Sequence, residues 1–163
     1  MINYSKNVKN RRGYFEIGIY HPKTEHNVGT LWRSAYQLGA SGIFTIGSRY
    51  KQMSSDTMQS WRHIPLRHFL TMDDFLLARP YDCQLVGVEM GGKALADFCH
   101  PERAIYLLGA EDHGLPQKVL DLCQHIVSLE SINVPSFNVA VAGSIVIYNR
   151  VFEYGLTNKA VWK

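Results

Sequence analysis

The sequence predicts an α/β fold, mainly a parallel sheet flanked by helices. Three observations carry that expectation. A strand, a helix and a second strand follow one another between Phe15 and Ile46, and a βαβ unit implies parallel strands. Further short apolar runs, at 84–88, 104–108 and 126–129, have the length and composition of strands. Three segments, His26–Arg33, Leu108–Leu115 and Ile132–Ala140, place polar or charged residues with glycine or proline at junctions between apolar stretches. Such junctions are where an α/β protein builds a site, because backbone can approach a ligand and separate segments converge.

Phe15–Tyr20 alternates and is rich in β-formers, which makes it a strand. His21–His26 is a polar loop, and Asn27 suits the N-cap of the helix that follows. Val28, Leu31, Trp32, Ala35, Tyr36 and Gly39 recur at helical spacing and form one face. Gly39–Gly42 ends that helix, and Ile43–Ile46 is the second strand. Gly47–Arg67 is polar and basic with scattered apolar residues, so it reads as an elaborated surface loop holding one short helix. Thr71 with Asp74 makes a capping pattern before Phe75, Leu76 and Leu77, predicting another short helix. Gln84–Val88 and Ala104–Leu108 are strands, and Pro116–Cys123 is a helix with proline in its first turn. Ile126–Leu129 is a strand, and Asn138–Tyr154 is the last helix. No repeat, low-complexity tract or linker interrupts residues 1–163, so one domain is expected.

With 163 residues, 46% hydrophobic and 19% charged, the chain can bury a core and is not of disordered composition. The net charge of +3 permits a nucleic-acid partner without arguing for one. Its distribution says more. Lys6, Lys9, Arg11 and Arg12 crowd a basic N-terminal segment of about residues 1–13, and Arg49, Lys51, Arg62 and Arg67 form a second cluster. Clusters of this kind hold phosphates, or are simply a solvated surface. The 3 cysteines are widely spaced and include no CxxC pair, which disfavours a zinc ribbon or a thioredoxin-like site and fits reduced thiols in a cytoplasmic protein. The start lacks the apolar core of a signal peptide, and the most apolar window, Val139–Tyr148, is too short to span a membrane.

The last helix carries two apolar stripes. Val139, Ala142, Gly143 and Val146 form one; Val141, Ile145, Tyr148 and Phe152 form the other. A surface helix needs only one, so the second predicts burial against another segment or against a second copy of the chain, and a homodimer is the economical choice.

In the first of the three segments Gly29 and Arg33 are four apart and adjacent on the helix surface, with Asn27 near the positive end of the helix dipole. An arginine there is either a solvated side chain or an anion site for phosphate. In the second, Gly109 lets the chain turn at a strand end, and Glu111 can accept from a hydroxyl or a base. In the third, Ile132 and Val134 can line a flat pocket, Pro135 stiffens the chain, and Ser136 and Asn138 can hold a hydroxyl; Asn138 can equally be only an N-cap. Histidine spacing at His21/His26 and His63/His68 does not suit a helical metal site, and no metal is expected. No Walker loop, no well-placed GxGxxG and no Ser–His–Asp constellation is present.

Taken jointly and in this order, the segments resemble the three motifs of the SpoU (TrmH-like) family of the SPOUT superfamily, which are RNA ribose methyltransferases. Asn27, Gly29 and Arg33 look like the first motif; Gly109, Glu111, Gly114 and Leu115 like the second; Ser136, Phe137, Asn138 and Val139 like the third. Phe137 stands where leucine is usual, and Ala140 where a second serine is usual. The resemblance spans about Phe15–Tyr154. It implies an α/β domain whose C-terminal part is tied in a deep trefoil knot, and a homodimer. It also implies S-adenosylmethionine (SAM) as methyl donor without a metal, and RNA as substrate, with tRNA favoured over rRNA. Val88, Glu89, Gly109, Ile132, Val134 and Ser136 would hold the cofactor. Asn27, Arg33, Glu111, Ser136 and Asn138 would form the catalytic set, with Arg33 anchoring phosphate and Glu111 ordering the second motif and the arginine. Without a separate RNA-binding domain, RNA would be gripped by Lys9, Arg11, Arg12, Arg33, Arg49 and Lys51. Two alternatives are an RNA- or SAM-binding relative without methyl transfer, and a base methyltransferase of the same superfamily.

Overall fold

Strands buried on both faces read as near-continuous apolar runs, as Tyr14–Tyr20, Gly42–Ile46 and Arg103–Leu108 do. The structure is a computed structural model and describes residues 13–48 and 60–156. The strands are β1 (Tyr14–Tyr20), β2 (Gly42–Ile46), β3 (Leu66–Phe69), β4 (Gln84–Ala94), β5 (Arg103–Leu108) and β6 (His125–Ser128). They form one sheet in the order β3-β2-β1-β5-β4-β6, with every pairing parallel. The helices are α1 (Glu25–Gln37), α2 (Met72–Ala78), α3 (Gln117–Leu120) and α4 (Val139–Leu156).

Strand alternation sends side chains to two cores. Phe15, Ile17, Ile19, Val86, Val88, Tyr106 and Leu108 meet Leu31, Ala35, Val146 and Ile147 of α1 and α4 on one face. Phe44, Leu85, Ile105 and Leu107 meet Phe75 and Val119 of α2 and α3 on the other. The predicted cap of α2 is present: Asp74 N–H donates to Thr71 Oγ1 at 3.1 Å, and Thr71 N–H donates to the Asp74 carboxylate at 3.0 Å. No helix among the described residues is long and apolar enough to cross a membrane.

Four expectations change. Leu66–Phe69 is a strand, not loop; it is an edge strand whose Arg67 pairs with the buried Glu16, and its charged residues hide the pattern. Helix α1 begins earlier than expected, with Thr24 at the cap, so Asn27 is a buried helical residue and not an N-cap. Strand β4 runs on from Val88 to Ala94, with a register shift between Val88 and Lys93. The helix expected at 116–123 shortens to Gln117–Leu120, with Pro116 at its cap.

Strand β6 lies at the sheet edge, yet α4 packs on α1 and over β1. The chain between them, 129–138, therefore crosses the carboxyl ends of β4 and β5. That crossing brings the third predicted segment to the first two.

Candidate active site

In a parallel sheet the carboxyl ends of adjacent strands leave a crevice, and its walls are the loops that follow those strands. Here Val88–Met90 of β4 and the turn after β5 meet the crossing segment around an open cavity of about 250 Å³. Val88, Leu108, Leu129, Val139 and Ala142 give it an apolar floor. Gly109–Gly114, Glu89 and Pro135–Phe137 give it a polar rim.

The turn 109–114 depends on its glycines. A Cβ on Gly109 would lie 2.1 Å from the Gly114 carbonyl carbon, and Gly114 has φ +62° with Glu89 Oε2 2.3 Å from where its Cβ would stand. Glu89 uses that space: its carboxylate accepts the Leu115 N–H at 2.7 Å and the Met90 N–H at 3.0 Å. Strand β4 thus braces the turn after β5.

The three predicted segments are joined by hydrogen bonds in series. Asn27 Nδ2 donates to Glu111 Oε1 at 2.6 Å, and Asn138 Nδ2 donates to Asn27 Oδ1 at 3.0 Å. Asn138 Oδ1 then accepts the N–H groups of Ala140 and Val141 at the start of α4, at 3.0 and 3.3 Å. Asn138 therefore caps α4, the second of the two roles left open by the sequence, and also binds Asn27. Glu111 is further held by the Lys23 N–H at 3.2 Å and the Thr24 hydroxyl at 3.3 Å. Partial burial raises its carboxyl, but the Asn27 amide and the backbone and Thr24 donors outweigh burial and hold it below the usual carboxylate range. Lys23 also pairs with Asp112, and His113 Nε2 lies 2.9 Å from the same carboxylate.

Not every predicted site residue joins this cluster. Val88, Glu89, Gly109, Glu111 and Ser136 line the cavity. Ile132 and Val134 do not; they are 100% and 65% exposed on the crossing segment. Arg33 is exposed on α1, about 9 Å along the helix from Asn27, and makes no hydrogen bond or ion pair with described residues. Glu111 bonds Asn27 and the loop before α1, and among the described residues it makes no direct bond to the arginine. Ala140, in place of the usual serine, is buried in the core and adds no hydroxyl to the site. Lys9, Arg11, Arg12, Arg49 and Lys51 lie outside the described residues. Sequence reasoning missed Lys23, Thr24 and Asp112. Asp112 had a signal in its place beside Glu111; Lys23 and Thr24 had none beyond lying in a polar loop.

Residues 14–148 match the SpoU rRNA Methylase family. The SpoU methyltransferase AviRb from Streptomyces viridochromogenes superposes with a TM-score of 0.79 at 25% identity, covering 88% of this chain and 61% of that one. Its complex with the cofactor AdoMet gives 0.73 at 23% identity, covering 86% and 57%. The chain thus spans about three fifths of AviRb. A structure described as giving insight into the 2-OH methylation of C/U34 on tRNA superposes with a TM-score of 0.75 at 26% identity, covering 90% and 92%. No curated protein matches the chain.

Proposed function

The chain belongs to the SpoU family of RNA methyltransferases, and on that premise we propose that it methylates a ribose 2′-hydroxyl in RNA with SAM as donor. The observation that carries this reading is the series Glu111–Asn27–Asn138, which bonds three distant segments together beside the cavity that Glu111 lines. The cavity suits the donor: its apolar floor accepts a flat base, its glycine turn allows close backbone approach, and its rim carries carboxylates able to receive hydroxyl or ammonium groups. The AdoMet complex of AviRb supports the same assignment.

Bound SAM supplies an electrophilic methyl on a sulfonium, a leaving group that needs no metal. The protein has to place the hydroxyl in line and help it lose its proton. Arg33 is exposed and without a partner among described residues, as a phosphate anchor should be. A guanidinium is effectively always protonated, so its contribution is positioning and electrostatic assistance, not service as a base. Ser136 lines the cavity and makes no hydrogen bond with described residues, so its hydroxyl is free for substrate. Asn138, pinned by Asn27 and by the start of α4, holds its backbone beside Ser136 in a fixed place.

tRNA is the favoured substrate, because the relative concerned with C/U34 covers nearly the whole of both chains. Arg33 lies outside the cavity lining, so the site is best completed by a second subunit, and the α4 stripe supplies the contact. Val141, Tyr148 and Phe152 are exposed, with Tyr148 and Phe152 rings stacked at 6.1 Å. The knot would be formed by the 129–138 crossing passing inside the segment that joins β4 to β5.

The test is transfer of labelled methyl from SAM to undermethylated tRNA, with and without chelator, followed by digestion to nucleosides. Label in a 2′-O-methylnucleoside, unaffected by chelator, is expected. Label on a base overturns the ribose assignment, and no label on tRNA or rRNA overturns the activity.

A further inference from the structure

The cavity has a charge imbalance. Among the described residues its lining includes Glu89, Glu111 and Asp112 but neither lysine nor arginine. Only Asp112 has cationic partners among the described residues, the Lys23 ammonium and, when protonated, His113. Glu89 is half-buried, and its described partners are backbone N–H groups. Glu111 is bound by an amide, a hydroxyl and a backbone N–H, none of them charged. Three carboxylates thus face one permanent cation. An uncompensated carboxylate at the wall of a partly dry cavity attracts positive charge and gains nothing from a neutral ligand.

We propose that this excess negative charge makes the cavity discriminate between the donor and its spent product, with Glu89 setting the discrimination. The proposal rests on the SAM assignment above. SAM carries a sulfonium; once the methyl has gone to the ribose oxygen, the C–S electron pair stays on sulfur as a neutral thioether and the hydroxyl proton leaves to water. The ligand loses one positive charge, and the carboxylates lose what they attracted. S-adenosylhomocysteine (SAH) is therefore held more weakly and leaves, so product inhibition is low. The methionine ammonium is common to both ligands and cancels in the comparison.

Calorimetric titration of the full chain with SAM, SAH and sinefungin tests this. Sinefungin carries an ammonium group where SAM carries its sulfonium. One unit charge about 6 Å away in a partly hydrated site changes affinity about tenfold, so SAM and sinefungin should each bind about tenfold tighter than SAH. Glu89→Gln keeps the shape and an acceptor for the Leu115 N–H; it should narrow the ratio to about threefold, chiefly by weakening SAM. Should that variant not fold, the wild-type ratio in low and high salt replaces it and should shrink as salt rises. SAH binding as tightly as SAM, or a ratio unchanged by both Glu89→Gln and salt, overturns the proposal while leaving the SAM assignment standing. Binding of none of the three, with RNA present or absent, overturns the assignment itself.

Discussion

The two ends of the sheet both carry polar networks, and they are built differently. At the carboxyl end, Glu111, which lines the open cavity, bonds in series with Asn27 and Asn138, and Ser136 and Arg33 keep their polar groups free of described partners. At the amino end, Arg150 is fully buried. Its guanidinium donates to the carbonyls of Pro101 and Glu102, at 2.6 and 2.7 Å, and to the Tyr106 hydroxyl at 3.1 Å, and lies over the Phe15 ring at 4.9 Å. His100 completes that end, bonded to Tyr106 and Asn149 at 2.6 and 2.8 Å. One helix serves both: Asn138 caps α4 in the site, and Arg150 lies twelve residues on, about 18 Å away. The contrast separates roles. A network closed on itself holds the fold, and a network that leaves groups open to a cavity is available to a ligand.

The comparison can be broken most severely at the closed end. Arg150→Ala should remove about 4 kcal/mol of stability, since it takes a donor from the Pro101 and Glu102 carbonyls and from the Tyr106 hydroxyl and leaves a void where a fully buried side chain stood. Urea unfolding measures it, and a change below about 1 kcal/mol would show that the buried arginine is dispensable. Next in size is the outer flank of the same helix. Tyr148→Glu should turn a dimer into a monomer, because an unpaired carboxylate at a buried contact costs about 3 kcal/mol. Light scattering decides, and a wild-type monomer at micromolar concentration refutes the interface.

A smaller effect is expected at the open end. Asn27→Ala removes the middle of the hydrogen-bonded series, so methyl transfer should fall about thirtyfold, or about 2 kcal/mol of barrier, while stability falls by about 1 kcal/mol. Equal losses of stability and activity would make Asn27 a fold residue like Arg150.

The smallest effect is in the pH dependence of stability. Burial pushes the His100 imidazole below its ordinary value, the Asn149 bond and Glu153 charge oppose this, and Arg150 adds to it. The folded state therefore prefers neutral His100 while the unfolded chain protonates near pH 6.5, so this stability is present above that pH and is lost as pH falls through it. Glu111 is lowered, so its contribution is present above the ordinary carboxylate value and is lost only at more acid pH. Melting temperature should decline between pH 7 and 5.5 in the wild type, and less so in His100→Gln. Equal slopes would remove His100 from the account.

How far each end could be read in the sequence follows from the same difference. The segments that meet at the cavity were legible as short local patterns, with Glu111 two residues beyond Gly109 and Ser136 and Asn138 after Pro135; Arg33, one turn from Gly29, was read the same way and stands outside the cavity. Arg150 was not, because its partners are main-chain carbonyls 48 and 49 residues away and carry no sequence signature. Asn27 was misread as a cap because an asparagine before an apolar face looks the same whether it caps that helix or reaches across to another segment. Strand β3 was hidden by Arg67 and His68, whose partners Glu16 and Thr45 lie on neighbouring strands. Ile132 and Val134 were expected at the pocket for their apolarity and from the family resemblance, neither of which says which way a crossing segment faces.

The central claim is that Arg33, exposed and outside the cavity, acts on RNA and not on the cofactor. Single-turnover transfer of labelled methyl to undermethylated tRNA by Arg33→Ala, with SAM affinity measured alongside, tests it most directly. The account predicts a rate at least about a hundredfold lower, or about 3 kcal/mol of barrier, with SAM affinity unchanged and poor rescue by Arg33→Lys, whose ammonium lacks the planar fork. Near-normal turnover, or loss of SAM binding together with turnover, would contradict it.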